Sequence, residues 1–265
     1  MQFCWFLTIA NTILCLFLGS PASAAKGSPV IATPKIFQST DGIKLVADLY
    51  VPHTNSPPPA VIVLHMLGHN RQSCKPLIHT LVAQGLAVLV PDLRGHGQST
   101  ERLNGAKISF KNFTESDWAK LPSDLSTLIA KMQSFHELDG TRIAIVGASI
   151  GANTAALAAQ SDKRVKAIVL LSPGLDYRGL KPTEAMKRFH RPAYVIAGLD
   201  DGYSAKSSRQ LVAAGGKEAT LELLDMAGHG TDMFDSHPQL ANKIALWLKN
   251  KVQLQGNPRP PKGGI

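Results

Sequence analysis

One serine of the 265-residue sequence stands between two glycines, in the run GASIG at 147–151. Apolar residues precede this run and an alanine-rich stretch follows it, which predicts a β-strand that turns directly into an α-helix. In such a turn the glycines leave room for closely approaching backbones, and Ser149 stands at the apex. The helix N-terminus beside it favours developing negative charge. The pattern predicts that Ser149 is a nucleophile that attacks a carbonyl carbon.

A serine hydroxyl becomes a good nucleophile only when a base accepts its proton, and histidine is the usual base near neutral pH. Of the nine histidines, we favour His229, because it lies in a predicted loop between the last strand and the last helix. Gly228 and Gly230 flank it and leave the ring room to reach across the sheet edge. His65, at the end of another predicted strand, is a less favoured alternative, and His96 is interpreted as part of a structural turn.

The elements that must position these groups follow a regular order. Two β-rich runs, 35–39 and 43–51, flank the turn Thr40-Asp41-Gly42 and predict an antiparallel hairpin. Further strands are predicted at 60–65, 87–91, 143–146, 165–171, 193–197 and 219–224. Helices are predicted at 74–84, 122–135, 150–160, 204–214 and 238–252.

Short apolar strands that alternate with helices are typical of a parallel sheet covered on both faces. We therefore predict an α/β fold in one domain at 33–252. The expected architecture is a three-layer α/β/α sandwich with a mostly parallel eight-stranded sheet and an N-terminal antiparallel hairpin.

The composition favours a globular protein, and the sequence shows no motif for binding nucleic acid, metal or phosphate. Hydrophobic residues make up 44% of the chain and charged residues 18%. The formal net charge is +9, but the basic residues form no run of five or more and no nucleic-acid-binding motif accompanies them. Histidines and carboxylates show no metal-ligand spacing, and no phosphate-binding glycine loop is present. We expect no nucleic acid, metal or cofactor as a partner.

The N-terminal segment differs from the rest of the chain. Residues 3–19 are almost wholly apolar and uncharged, and Ala22 and Ala24 supply the small residues that signal peptidase accepts. We predict a secretory signal peptide at 1–24 and an exported protein, periplasmic or secreted. An uncleaved membrane anchor is the alternative, because no basic residue precedes the apolar run. No other membrane insertion is expected.

Cleavage of the signal would leave Cys74 as the one cysteine, so no disulfide could form within the mature chain. We interpret Cys74 as a structural residue. At the other end, residues 255–265 contain three prolines and three glycines, a composition that predicts a disordered tail.

Short blocks of the sequence, taken together, resemble the α/β-hydrolase superfamily over about 35–251. They occur in the family's chain order and read LHMLGHNR at 64–71, PDLRGHGQS at 91–99, GASIG at 147–151, GLDDGYS at 198–204 and AGHG at 227–230. The most similar subgroup is that of small, lidless hydrolases akin to dienelactone hydrolase, although Ser149 stands where that enzyme has cysteine. The resemblance implies a Ser-His-Asp catalytic triad.

The resemblance also implies which groups support the serine. The family's acid follows the strand predicted at 193–197, and members with the form G-x-x-D place it three residues after the glycine, which selects Asp201. Asp200 is the alternative, and Asp176, after the preceding strand, is an outside candidate. The N–H groups of Ile150 and Leu67 correspond to the family's oxyanion hole.

We therefore expect an exported serine hydrolase that cleaves carboxylic esters through an acyl-enzyme intermediate and requires no cofactor. The partner would be a small-molecule acyl substrate. Peptide or amide hydrolysis, thioester cleavage and acyl transfer at the same site are alternatives, as is a non-catalytic binding protein on a hydrolase scaffold. Three aromatic residues, Phe110, Phe113 and Trp118, either cover the sheet edge or line a substrate pocket, and we favour the first interpretation.

Overall fold

The computed structural model describes residues 31–253 together with Met1. Apart from Met1, the predicted signal peptide at 1–24 lies outside the described residues, as does the predicted tail at 255–265. Among the described residues, no helix has both the length and the apolar character needed to cross a membrane.

The described residues form one eight-stranded sheet in the order β1-β2-β4-β3-β5-β6-β7-β8. Its strands are β1 (Thr33–Gln38), β2 (Lys44–Tyr50), β3 (Pro59–Leu64), β4 (Ala87–Pro91), β5 (Asp139–Ala148), β6 (Val165–Leu171), β7 (Ala193–Gly198) and β8 (Ala219–Leu224). The hairpin β1-β2 is antiparallel, β2 pairs antiparallel with β4, and all other pairs are parallel. The predicted sheet and its N-terminal hairpin are confirmed.

Helices cover both faces of the sheet. They are α1 (Lys75–Ala83), α2 (Glu115–Trp118), α3 (Leu121–Lys131), α4 (Ile150–Ala159), α5 (Thr183–Phe189), α6 (Gly202–Gly215), α7 (Met233–Ser236) and α8 (Gln239–Gln253). The buried residues of α3, α4, α5 and α6 pack against one face of the sheet, and those of α1, α7 and α8 pack against the other. Successive residues of β3, such as Val61 and Ile62, belong to opposite cores, which explains why the parallel strands are apolar throughout.

Two elements differ from their predicted bounds by as much as four residues at one end. Strand β5 begins four residues before the predicted 143, and α3 ends at Lys131, after which residues 132–134 form a 3₁₀ turn. The two changes are linked, because a Cβ atom on Gly140 would lie 2.5 Å from the Met132 carbonyl oxygen. The chain therefore leaves α3 early and passes tightly against the start of β5.

A buried charge network holds the turn after β4. Arg94 donates to both carboxylate oxygens of Asp124, over 2.5 and 2.6 Å, and also to Asp41. Asp92 accepts the backbone N–H of Arg71, 2.8 Å away. Arg71 lies just after the loop at the end of β3. Its hydrogen bond to Asp92 therefore fixes the position of that loop relative to β4.

Candidate active site

Ser149 stands between the end of β5 and the first residue of α4, in a strained backbone conformation with φ 55° and ψ −116°. Its N–H donates to the carbonyl of Leu171 over 2.8 Å, which ties the turn to the end of β6. A Cβ atom on Gly147 would overlap the carbonyl of Gly151, and one on Gly151 would lie 2.7 Å from the carbonyl oxygen of His65. Both glycines of the run are therefore required by the close packing of β5, α4 and β3.

His229 lies in the loop between β8 and α7, and its Nδ1 is 2.5 Å from Oδ2 of Asp201. The other oxygen of Asp201 accepts the N–H of Ser204 in the first turn of α6, at 3.2 Å. Burial opposes the charged form of Asp201, but the hydrogen bonds from Ser204 and His229 outweigh it and lower the pKa of the carboxyl. Asp201 is therefore ionised at neutral pH and orients the imidazole, with Nδ1 as the donor.

The two alternative acids have other partners. Asp200 accepts the backbone N–H groups of Ala227 and Gly228, each over 3.0 Å, and so holds the loop that carries His229. Asp176 accepts the N–H of Gly179 at 2.8 Å, in a turn after β6. Among the described residues, neither carboxylate hydrogen-bonds to a histidine.

The loop of His229 meets the turn of Ser149 at one edge of the sheet. The N–H of Gly230 donates to Oγ of Ser172 over 2.9 Å, and Ser172 directly follows Leu171, which accepts the N–H of Ser149. A Cβ atom on Gly230 would lie 3.5 Å from that of Ala148. Within residues 31–253, Ser149 and His229 share this edge without a direct hydrogen bond between their side chains. Such bonds are often long in the absence of substrate.

The two backbone N–H groups predicted to bind an oxyanion are those of Ile150 and Leu67. That of Ile150 opens α4, where the first N–H groups have no intrahelical acceptor. The carbonyl of Met66 accepts Nδ1–H of His65 at 2.8 Å, so the trans peptide directs the N–H of Leu67 away from that ring. In the described part of the chain, neither N–H has a backbone or side-chain acceptor outside regular structure.

His65 is a structural group of this loop. Its ring is fully buried, its Nδ1 donates to Met66 and its Nε2 accepts the N–H of Leu93 at 3.0 Å. Burial lowers the pKa of His65 to about 4. The ring is neutral in one fixed tautomer at pH 7 and has no free nitrogen for general base chemistry.

Three polar residues of the site were not identified from the sequence. Ser172 directly follows the last residue of β6 and has a positive φ of 47°. Its Oγ accepts the N–H of Gly230. The hydroxyl of Tyr177 lies 3.0 Å from Oγ of Ser204, and its ring meets that of His229 edge to face, 6.4 Å between centroids. Burial raises the pKa of Tyr177, and the hydrogen bond with Ser204 opposes this rise. Serine and tyrosine are common in loops, so only their spatial convergence marks them.

A cavity of about 290 Å³ adjoins the loop at the end of β3, and we call it the aromatic cavity. Its lining residues are Leu67, Phe110, Lys111, Phe113, Trp118 and Arg178. The three aromatic residues also pack with the core, so they cover the sheet edge and line a pocket at once. A larger depression of about 460 Å³ lies among residues 52–58 and 136–137, at the opposite edge of the sheet from Ser149.

In the described part of the chain, neither Cys74 nor a cluster of metal-ligand residues forms part of the site. The Cys74 thiol is fully buried, and burial raises its pKa to about 12, so it is an unreactive thiol. Among the described residues, no group of three or more histidine, cysteine or acidic side chains is arranged to hold a metal ion.

Comparison with known proteins identifies the family of this chain. The family model described as "Serine aminopeptidase, S33" matches residues 55–197. An uncharacterized protein of Mycobacterium tuberculosis is 30% identical over 203 residues, which make up 73% of this chain and 71% of that protein.

Solved structures have the same fold. The Pyrococcus furiosus esterase Pf2001 aligns with a TM-score of 0.69 at 17% identity, over 84% of this chain and 91% of that chain. Dienelactone hydrolase from Anabaena variabilis aligns with a TM-score of 0.66 at 20% identity, over 84% and 98% of the two chains. The family match spans more than half of the chain and includes the turn of Ser149. The chain belongs to the serine aminopeptidase S33 family of α/β hydrolases.

Proposed function

We propose that this α/β hydrolase is a serine esterase that cleaves carboxylic esters. Ser149 attacks the ester carbonyl, His229 accepts the serine proton and returns it to the leaving alcohol, and Asp201 orients and stabilises the imidazolium. The acyl group is then bound to Ser149 as an ester. A water molecule, deprotonated by His229, releases the acid and regenerates the serine.

The N–H groups of Ile150 and Leu67 are the proposed oxyanion donors. Each such donor stabilises the transition state by about 3 to 4 kcal/mol. The hydrogen bond from His65 to the carbonyl of Met66 fixes the peptide that carries the second donor. The orientation of this donor is thus set before substrate binds.

The observation that carries the proposal is the 2.5 Å contact of His229 Nδ1 with Asp201. It leaves Nε2 as the basic nitrogen, on the sheet edge that His229 shares with Ser149. A carboxylate held by a helix N–H, an oriented imidazole and a serine on a strained turn together form the arrangement that acyl transfer requires.

A second candidate activity is aminopeptidase action, which the description of the matching family favours. The same three residues would serve it, because ester and amide cleavage share the acyl-enzyme route. An aminopeptidase must in addition accept the positively charged amino terminus of a peptide. Lys111 and Arg178, which line the aromatic cavity, oppose a cation there.

The decisive experiment combines active-site labelling with a substrate panel. We expect a fluorophosphonate probe to label wild-type protein and the control Ser126→Ala, whose serine is exposed on α3, but not Ser149→Ala. We also expect aryl and alkyl esters to be hydrolysed faster than aminoacyl anilides. Labelling of Ser149→Ala would exclude the proposed nucleophile, and anilide cleavage without ester cleavage would favour the aminopeptidase.

We further propose that the protein is exported, on the basis of the apolar segment and the small residues Ala22 and Ala24. N-terminal sequencing of protein from its native host should begin at Ala25. A sequence that begins at residue 1 or 2 would instead indicate a retained segment.

A further inference from the structure

The aromatic cavity combines an apolar wall with two cationic side chains. Phe110 and Phe113 are partly buried, Trp118 is buried, and Lys111 and Arg178 are exposed at its rim. The Arg178 guanidinium lies over the Trp118 ring, 5.9 Å from its centroid. A planar cation held against an aromatic face can still donate its N–H groups to an anion.

The cavity adjoins the catalytic groups on two sides. Leu67, the proposed oxyanion donor, forms part of its wall. Arg178 directly follows Tyr177, whose ring meets that of His229 edge to face and whose hydroxyl donates to the carbonyl of Ser172, beside the turn of Ser149. A substrate whose carbonyl lies at Ser149 can therefore extend into the cavity.

The loop that carries Arg178 is fixed before any ligand binds. Asn153, fully buried in α4 one turn after Ser149, donates to the carbonyls of Gly174 and Leu180 over 2.9 and 2.7 Å. Between them, Arg178 and Gly179 both have positive φ, 56° and 84°, in a tight turn closed by Tyr177 and Leu180. The backbone of this loop thus holds Arg178 at the rim of the cavity. Because the loop is already ordered, less conformational entropy is lost when a ligand binds.

In the part of the chain that the structure describes, neither cation of the rim has an ionic partner. Within residues 31–253, no acidic side chain lies within salt-bridge distance of Lys111 or Arg178. The carboxylate of Glu115 packs near Gly179 without pairing with either. Two unneutralised cations over an aromatic wall form a receptor for a carboxylate on an aromatic or short apolar group.

We propose that the aromatic cavity binds a substrate carboxylate, so that the enzyme prefers esters that carry a second, ionised carboxyl group beyond an aromatic spacer. This inference rests on the proposed esterase function and specifies its substrate class. The formal net charge of +9 acts in the same direction, since it favours the approach of anions.

The test compares two rigid methyl esters of similar shape. Methyl 4-carboxybenzoate carries the anion, and methyl 4-carbamoylbenzoate is its neutral counterpart. Their para groups cannot reach their own ester carbonyls, so intramolecular attack does not distort the rates. We expect wild-type kcat/KM to favour the anionic ester roughly 10-fold or more, the effect of one charge-assisted hydrogen bond.

The variants remove the charges one at a time and together. Arg178→Gln and Lys111→Gln should each lower the preference, and the double variant should bring the kcat/KM ratio close to one, whereas Arg178→Lys should retain part of it. The matched control is Lys206→Gln with Arg209→Gln, which removes two exposed charges from α6. A ratio near one in wild type, or an equal loss in the control, would overturn the inference.

A binding measurement separates this inference from the proposed function. Calorimetric titration with terephthalate requires no turnover, and we expect it to bind wild type and Ser149→Ala but to bind Arg178→Gln at least 10-fold more weakly. Such binding without ester hydrolysis would reject the esterase and keep the anion site. Equal binding by wild type and Arg178→Gln would reject the site even if esters are cleaved.

Discussion

Asp200 and Asp201 are adjacent in the chain, and each accepts two hydrogen bonds. Their partners differ, and so do the roles of the two carboxylates. Asp201 joins an imidazole to the first turn of α6, whereas Asp200 joins two backbone N–H groups of the histidine loop. In the proposed mechanism, Asp201 stabilises the positive charge that forms on His229 during the reaction. Asp200 fixes the backbone from which the charged ring extends.

This difference predicts unequal effects of the same substitution. Asp201→Asn should lower kcat for ester hydrolysis by roughly 10³- to 10⁴-fold, because an amide can stabilise the wrong imidazole tautomer and carries no charge. Asp200→Asn should lower kcat by only about 10-fold, because its oxygen still accepts one of the two N–H groups. Steady-state rates of the two variants measure this, and a larger loss for Asp200→Asn would reassign the acid.

At the scale of elements, the proposed nucleophile Ser149 depends on the junction of β5 and α4. The backbone of the turn approaches both the end of β3 and its own helix so closely that no side chain fits at its two glycines. The end of β6 adds a hydrogen bond to Ser149. The strained conformation is thus maintained by packing from three elements rather than by the local sequence alone.

The junction predicts a large effect for a single methyl group. Gly147→Ala would force the overlapping backbone of α4 to move, so we expect the free energy of unfolding to fall by more than about 3 kcal/mol, together with loss of probe labelling. Gly202→Ala is the matched control, because its added Cβ meets no atom within 4 Å at the start of α6. Urea denaturation of both variants tests this, and equal stability would show that the junction is not tightly packed.

At the scale of the whole molecule, buried neutral histidines link stability to pH. Burial lowers the pKa of His65 to about 4 and also lowers that of His96. The unfolded chain therefore binds more protons than the folded chain between about pH 4 and 6.5. Protonation of these histidines favours the unfolded chain, so the free energy of unfolding is highest above about pH 6.5 and decreases as the pH falls.

We expect His65 alone to reduce the free energy of unfolding by about 2 kcal/mol between pH 7 and pH 5. Denaturant unfolding at several pH values should show this slope in wild type and in His79→Gln, which alters an exposed histidine of α1. The slope should be smaller in His65→Gln. If that variant does not fold, NMR titration of the His65 ring in wild type gives the answer, and a pKa near 6.5 would contradict the expectation.

The sequence by itself determined the fold class and located the sharp turn that carries Ser149. Alternating strand and helix periodicity specified a parallel sheet with covered faces, because burial on both sides demands continuous apolar strands. The glycines around Ser149 marked the junction of β5 and α4, since few other sequences fit so close a turn. Both signals are local, and local signals can be read along the chain.

The family resemblance favoured Asp201 over Asp200, but only the tertiary structure decided which aspartate faces His229, because the choice depends on how the loop after β8 approaches the start of α6. It also brought Ser172 to the N–H of Gly230 and placed Arg178 over Trp118, sixty residues away in the chain. These contacts join side chains of common types from distant segments, and no periodicity or spacing records them. They arise where the carboxyl ends of neighbouring parallel strands bring separate loops to one edge of the sheet.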